Sequence, residues 1–348
     1  MPAEVMVTPT PAMKPKQPLS DEYELLDSGE GRKLERFGRY RIVRPCAQAI
    51  WPPRKDPALW EDADACFERR PGRGWQTRTR IPDSWRIVID GMRFRIARTD
   101  FGHLGIFPEQ RGLWRWVARA ITHANEAGRP QVSVLNLFAY SGGATLAAAR
   151  CGARVCHLDA SKGMVSWARE NADLNNLTDA PVRWIVDDVN KFLDREIRRD
   201  RRYDAIILDP PTYGHGRNEE VYKLEDELVA TVRKCWALLS DSPLFILLTS
   251  HTPACTPTAL ANILGATTPV QSASSCESGE MLLEGKADVL PVPSGTYCRW
   301  TPGTCLLYTS DAADDLLCVD LGGRRILKKK THQIHRRRGT MTSRYEHT

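Results

Sequence analysis

Val134-Leu-Asn-Leu-Phe-Ala-Tyr-Ser-Gly-Gly-Ala-Thr145 runs from an apolar strand through a turn of small residues into a helix. Glycine lets backbone pass close to a ligand, yet two glycines in a strand-to-helix turn are common. This turn is neither the G-x-G-x-x-G phosphate fingerprint nor a P-loop with its lysine. The residues that sharpen the reading lie downstream. The next apolar run ends in His157-Leu-Asp159, the following one in Val186-Asp-Asp188, and the fourth in Leu208-Asp-Pro-Pro211. Each acid alone could cap a helix. Four successive strand ends carrying polar groups instead converge on one crevice, where an open α/β sheet binds its ligand, with a carboxylate at the end of the second strand suited to a ribose diol. Together they favour a nucleoside ligand.

The alternation around these motifs predicts strands over 132–137, 155–158, 182–186, 203–208 and 244–248. Helices are predicted to begin at 144 and to cover 162–174, 190–197 and 221–239. Strands separated by helices of this length imply a parallel sheet covered on both faces. Segments 281–283 and 296–300 read as a closing antiparallel pair. Upstream, 114–127 reads as a helix with Leu113, Trp116, Val117, Ala120 and Ile121 on one face. Trp85 to Ile96 alternates apolar residues around Asp90-Gly91, a two-residue β-hairpin signal. Residues 23–80 are polar with scattered tryptophans and turn signals, the pattern of a small mixed N-terminal module. Residues 1–20 are proline-rich and read as a disordered leader.

Of 348 residues, 42% are hydrophobic and 26% charged, which suits a globular chain. The sequence shows neither an apolar run of spanning length nor a signal peptide, so the expected address is the cytoplasm. Ten cysteines without a Cys-x-x-Cys pair argue against a zinc site or a disulfide framework. The net charge is +6. Much of it lies after residue 304, in Lys328–Lys330 and Arg336–Arg338. Cys305 to Ile326 resembles a translated transposase-type sequencing adapter, so residues 305–348 are read as a non-native tail rather than as an RNA-binding extension.

The motifs N-L-F-A-Y-S-G-G (136–143), L-D-A-S (158–161), D-D-V (187–189) and L-D-P-P-T-Y (208–213) are similar to those of the bacterial ribosomal RNA base methyltransferases. These share a catalytic domain with the large-subunit cytosine and guanine enzymes. Phe101-Gly-His-Leu-Gly-Ile-Phe-Pro-Glu-Gln110 stands where that family has a strand and loop that close over the methionine end of the cofactor. The resemblance covers roughly residues 85–300. It implies a Rossmann-like, seven-stranded, mostly parallel α/β sheet in a catalytic domain over 101–304, preceded by the module and hairpin over 21–100. It also implies S-adenosyl-L-methionine as cofactor and ribosomal RNA as partner. Asn136, Phe138, Ser141 and Gly142 would line the methionine and sulfonium region, Asp159 would take the ribose hydroxyls, and Asp188 the adenine amino group.

Methylating an exocyclic amine needs acceptors that orient its hydrogens and a flat surface for the base. Asp209 and the Pro210 carbonyl are the candidate acceptors and Tyr213 the stacking partner. Thr212 stands between Pro-Pro and the aromatic, as in the family's guanine-methylating branch. Relatives that methylate carbon 5 of cytosine carry a cysteine just after the fifth strand. Here Thr249-Ser-His-Thr252 occupies that place and Cys255 lies further on. His215 and His251 are candidates to position or accept a proton, each weighed against a merely structural histidine. Two alternatives stay open on the sequence: methylation of a protein or small molecule, and a catalytically silent binding module of the same fold.

Overall fold

The computed structural model describes residues 21–69, 73–129, 131–215, 221–269 and 274–303. The readings of 1–20 and of 305–348 therefore lie outside the described residues. The N-terminal module is a five-stranded sheet in the order β1 (Tyr23–Gly29), β2 (Arg32–Phe37), β3 (Tyr40–Pro45), β4 (Ala65–Glu68) and β5 (Gly74–Thr77). All its pairs are antiparallel except β3 with β4, whose connection carries the short helix α1 (Pro57–Glu61). Next comes the hairpin β6 (Ser84–Ile89) and β7 (Met92–Ala97), in which Ile89 faces Met92. Asp90 (φ 52°) and Gly91 (φ 67°) form its two-residue turn, as the Asp-Gly signal requires.

The catalytic sheet follows α2 (Arg111–Glu126) and contains seven strands. In chain order these are β8 (Ser133–Leu137), β9 (Arg154–Asp159), β10 (Val182–Val186), β11 (Ala205–Leu208), β14 (Phe245–Ser250), β15 (Ser274–Leu283) and β16 (Val292–Pro302). They lie side by side as β10-β9-β8-β11-β14-β16-β15, the first five parallel and the last two antiparallel. Between them run α3 (Gly143–Arg150), α4 (Lys162–Leu174), α5 (Val189–Arg198), α6 (Leu224–Ala237) and α7 (Pro257–Thr267), with a small hairpin β12 (Tyr213–His215) and β13 (Val221–Lys223) inserted after β11. The α/β class and the mostly parallel sheet are as the sequence implies.

Three local expectations change. The helix expected over 221–239 begins only at Leu224, because Val221–Lys223 pairs with Tyr213–His215. Glu225, Asp226 and Glu227 then form an acidic first turn suited to the positive end of the helix dipole. Helix α7 was unexpected, although Thr256 capping Ala259 N–H and Pro257 at the first position are an ordinary start signal. Segment 101–110 contains no strand; it is a looped connection ending in a 3-10 turn at Pro108–Gln110.

The module is not a separate bead. Tyr23, Leu25 and Phe37 of its sheet share one buried cluster with Ile87 and Phe94 of the hairpin, Trp114 of α2 and Leu146 of α3. Full burial of side chains this size contributes about 1.5–3 kcal/mol each, so the sheet edge and the module are packed against a common core. Gly143 is part of that packing: a Cβ there would stand 2.4 Å from the Trp114 indole. Its small size is thus required by a tryptophan.

Candidate active site

Main-chain register brings the motif ends together. Val186 pairs with Asp159, Leu158 with Leu137, Leu137 with Leu208, and Leu208 with Leu248, so the segments that follow emerge along one edge. The switch in strand order falls between β8 and β11, beside that edge, which is where ligands enter such sheets. A cleft of about 920 Å³ opens there. Phe138, Tyr140, Asp159, Asp188, Asp209 and Pro210 line it. The backbone after β8 is strained: Phe138 (φ 54°) and Tyr140 (φ 48°) are left-handed without being glycine.

Asp159 holds that strained loop. Its Oδ2 accepts the Tyr140 N–H at 2.9 Å and its Oδ1 accepts the Ser161 N–H at 2.9 Å. Burial pushes its carboxyl up, and the two N–H donors pull part of the way back. Asp188 lines the same cleft while also capping α5, accepting the Lys191 N–H at 2.9 Å. Asn136, Ser141 and Gly142 lie one layer deeper, around a smaller cavity of about 40 Å³ that shares Phe138, Tyr140 and Asp209 with the cleft. The Asn136 amide donates to the Thr145 hydroxyl, which contacts His157 Nδ1, each at 2.9 Å. Burial lowers His157 to about 3, so it is neutral.

Asp209 is more heavily engaged than the sequence suggests. Its Oδ1 accepts from Thr249 Oγ1 at 2.6 Å and its Oδ2 from the Gln110 amide at 2.7 Å. His251 Nδ1 stands 3.6 Å from Asp209 Oδ1, and His251 Nε2 stands 3.3 Å from Glu109 Oε1, an ion-pair contact whose N–H is not aimed at the oxygen. Burial works against charge on all three groups. The mutual attraction outweighs it: both carboxyls are held below their usual range and His251 is raised to about 10. His251 is therefore an imidazolium at neutral pH, a donor rather than a proton acceptor. Asp209 Oδ2, with Gln110 as its one partner, has a second lone-pair site and so keeps acceptor capacity.

Tyr213 does not join this group. Thr212 and Gly214 line the cleft, whereas Tyr213 between them is 66% exposed, and strand alternation directs it to the other face. The His215 side chain lies outside those described. Cys255 is buried in the core with Leu260 and Leu264 and does not line the cleft. Glu109, Gln110, Tyr140 and Thr249 carry much of the geometry without having been assigned a role; the first two lay inside the 101–110 motif.

A sequence family described as S-adenosylmethionine-dependent methyltransferase matches residues 70–270, more than half of the chain. The chain belongs to this family. The crystal structure of the SAM-dependent methyltransferase from Agrobacterium tumefaciens is 37% identical, with a TM-score of 0.76 over 81% of this chain and 90% of that one. Ribosomal RNA large subunit methyltransferase K/L of Marinobacter nauticus is 30% identical over 217 residues, 61% of this chain and 28% of that protein. Its counterpart in Pseudomonas paraeruginosa is 33% identical over 152 residues, 43% of this chain and 19% of that protein. The chain thus spans only 19–28% of the length of these curated relatives. This methyltransferase takes S-adenosyl-L-methionine as its cofactor. The cleft fits it chemically: carboxylates at two adjacent strand ends suit a ribose and an adenine amine, and Phe138 and Val189 offer apolar surface. Among the described residues no helix is long and apolar enough to cross a membrane.

The histidine makes a pH prediction. A group raised from an unfolded value of about 6.5 to about 10 stabilises the fold fully below pH 6.5, and that stabilisation is lost as pH climbs through 10. The stability difference between the parent chain and His251→Gln is expected to be largest below pH 6.5 and to fade by pH 10. Denaturant unfolding across that range measures it, and a pH-independent difference would contradict the imidazolium.

Proposed function

We propose that this methyltransferase modifies a nitrogen on a base of ribosomal RNA by direct transfer, without a covalent enzyme–RNA intermediate. The observation that carries the reading is the held Asp209 carboxylate at the end of β11, with Thr249 and His251 rather than a cysteine at the end of β14. Among the described residues, Cys46 of the N-terminal module is the cysteine that lines the cleft. Burial pushes its thiol up, away from the thiolate a nucleophile needs. The names of the relatives, large-subunit ribosomal RNA methyltransferases, support RNA as the substrate class.

S-adenosyl-L-methionine supplies a methyl group already activated on a sulfonium. What remains for the chain is to bind, to orient and to exclude water. In this reading Asp159 takes the ribose hydroxyls and Asp188 the adenine amine, while Phe138 packs beside the sulfonium end. Asn136, Ser141 and Gly142 support that end from the deeper cavity. Asp209, kept ionised by His251 and aimed by Gln110 and Thr249, accepts a hydrogen bond from the target amine, with the Pro210 carbonyl as the second acceptor; the methylated amine leaves with the thioether S-adenosylhomocysteine formed and its surplus proton passes to solvent.

Two measurements separate cofactor binding from transfer. Asp159→Ala is expected to weaken S-adenosylhomocysteine binding roughly tenfold to more than a hundredfold by calorimetry, since charge-assisted hydrogen bonds contribute about 1.5–3 kcal/mol. It should also lower the melting temperature, because the Tyr140 and Ser161 N–H groups lose their acceptor. Unchanged affinity in the folded variant would remove Asp159 from the site. Asp209→Asn is expected to slow methyl transfer to unmodified ribosomal RNA by about a hundredfold or more while leaving cofactor affinity within a few-fold; Cys255→Ala should leave transfer nearly intact. Loss of activity in Cys255→Ala, or covalent trapping by 5-fluorocytosine RNA, would replace the nitrogen reading with a cysteine mechanism.

A further inference from the structure

With Tyr213 turned away from the cleft, the flat surface that a target or neighbouring base needs must come from elsewhere. Among the described residues, the exposed large hydrophobic side chains are Ile50, Phe101, Tyr213 and Val229. Of these only Phe101 lines the cleft, and it is 77% exposed. Leaving a phenylalanine in water forgoes its burial energy, and a mobile loop would simply fold it away. This one is held out by a pinned turn. Thr99 N–H donates to the His103 carbonyl at 3.0 Å, Gly102 N–H to the Thr99 carbonyl at 3.0 Å, and His103 N–H to Thr99 Oγ1 at 3.1 Å. Trp75 Nε1 donates to the Thr99 carbonyl at 2.7 Å, fastening the turn to the N-terminal sheet. Beneath it, Gly102 (φ 79°) lies so close to the Phe67 ring that a Cβ would stand 2.3 Å from it.

Cations stand on the same wall of the cleft. Arg69, exposed at the end of β4, lines the same cleft. Arg44 and Lys33 also line it and share a single buried partner, Glu35. His103, lowered to about 4 by burial and by Arg44 and Arg69, adds no charge of its own but offers a neutral ring next to the turn. A rigid, exposed aromatic beside a cation on a groove wall is the arrangement by which proteins hold unpaired bases, whose faces stack whatever their identity.

We propose that Phe101, presented on the Thr99–His103 turn, is the stacking platform for an unpaired base of the RNA substrate, with Arg69 contacting the adjoining phosphate. The N-terminal sheet is then the substrate wall of a cleft whose other wall holds the cofactor. This rests on the RNA reading above, and the test separates the two. A fluorescein-labelled single-stranded RNA of about ten nucleotides and a blunt RNA duplex are titrated with the full chain, with S-adenosylhomocysteine affinity measured in parallel. The single strand is expected to bind more tightly than the duplex. Phe101→Ala should weaken single-strand binding by roughly five- to a hundred-and-fifty-fold, Phe101→Leu should not restore it, and Phe101→Trp should. Arg69→Ala should lower the salt dependence by somewhat less than one unit of slope. S-adenosylhomocysteine affinity should stay unchanged in all four variants. If the parent binds the single strand and both alanine variants bind it equally well, the platform is wrong while the RNA reading stands. If the parent binds no RNA at all, both fail.

Discussion

Main-chain hydrogen bonding between parallel strands is the constraint on which the rest of this molecule depends. The register that pairs Val186 with Asp159, Leu158 with Leu137 and Leu137 with Leu208 leaves three turns and their acids no choice but to emerge side by side. No side chain has to find another for this to happen. The interiors of β8, β9 and β11 are buried on both faces, so a one-residue slip there would carry each side chain to the opposite face and disrupt the packing on both. The cofactor cleft is consequently a by-product of core packing, and its acids can be spent on chemistry.

The second layer of organisation is ionic. Half-buried Asp209 and buried Glu109 are carboxylates brought to one imidazolium from different elements, the end of β11, the loop before α2 and the end of β14. A buried charge left unpaired costs several kcal/mol, so these three segments are fastened to one another as well as to the sheet. The loop carrying Glu109 and Gln110 begins at the turn that displays Phe101, which is tied through Trp75 to the N-terminal sheet. Substrate wall and catalytic edge are in this way mechanically continuous.

Strand ends could be read in the sequence because an apolar run followed by an acid is a local pattern, and the Asp90-Gly91 turn likewise needs no distant partner. The partners of Asp209 could not. Gln110 is 99 residues away in the chain and Thr249 is 40, and nothing local marks either as its donor. Tyr213 misled for the opposite reason: its position after Pro-Pro suggested a stacking role, but the β12 pairing fixed an alternation that faces Thr212 and Gly214 into the cleft instead. The short strands of the N-terminal module were illegible because neither face reads as simply polar or apolar: one shares a buried cluster with Trp114 and Leu146 while also burying Glu35 and Arg44, and the other packs Leu34 and Val43 with Leu59 and Trp60 of α1.

The cofactor is expected to lie across the carboxyl ends of β8, β9 and β10. Amide hydrogen exchange with and without S-adenosylhomocysteine tests it segment by segment on the intact chain. Added protection is expected at 138–142, 159–161 and 187–189, with β1 to β5 unaffected. Protection confined to the N-terminal sheet, or absent from all three turns while the ligand is bound, would contradict the account.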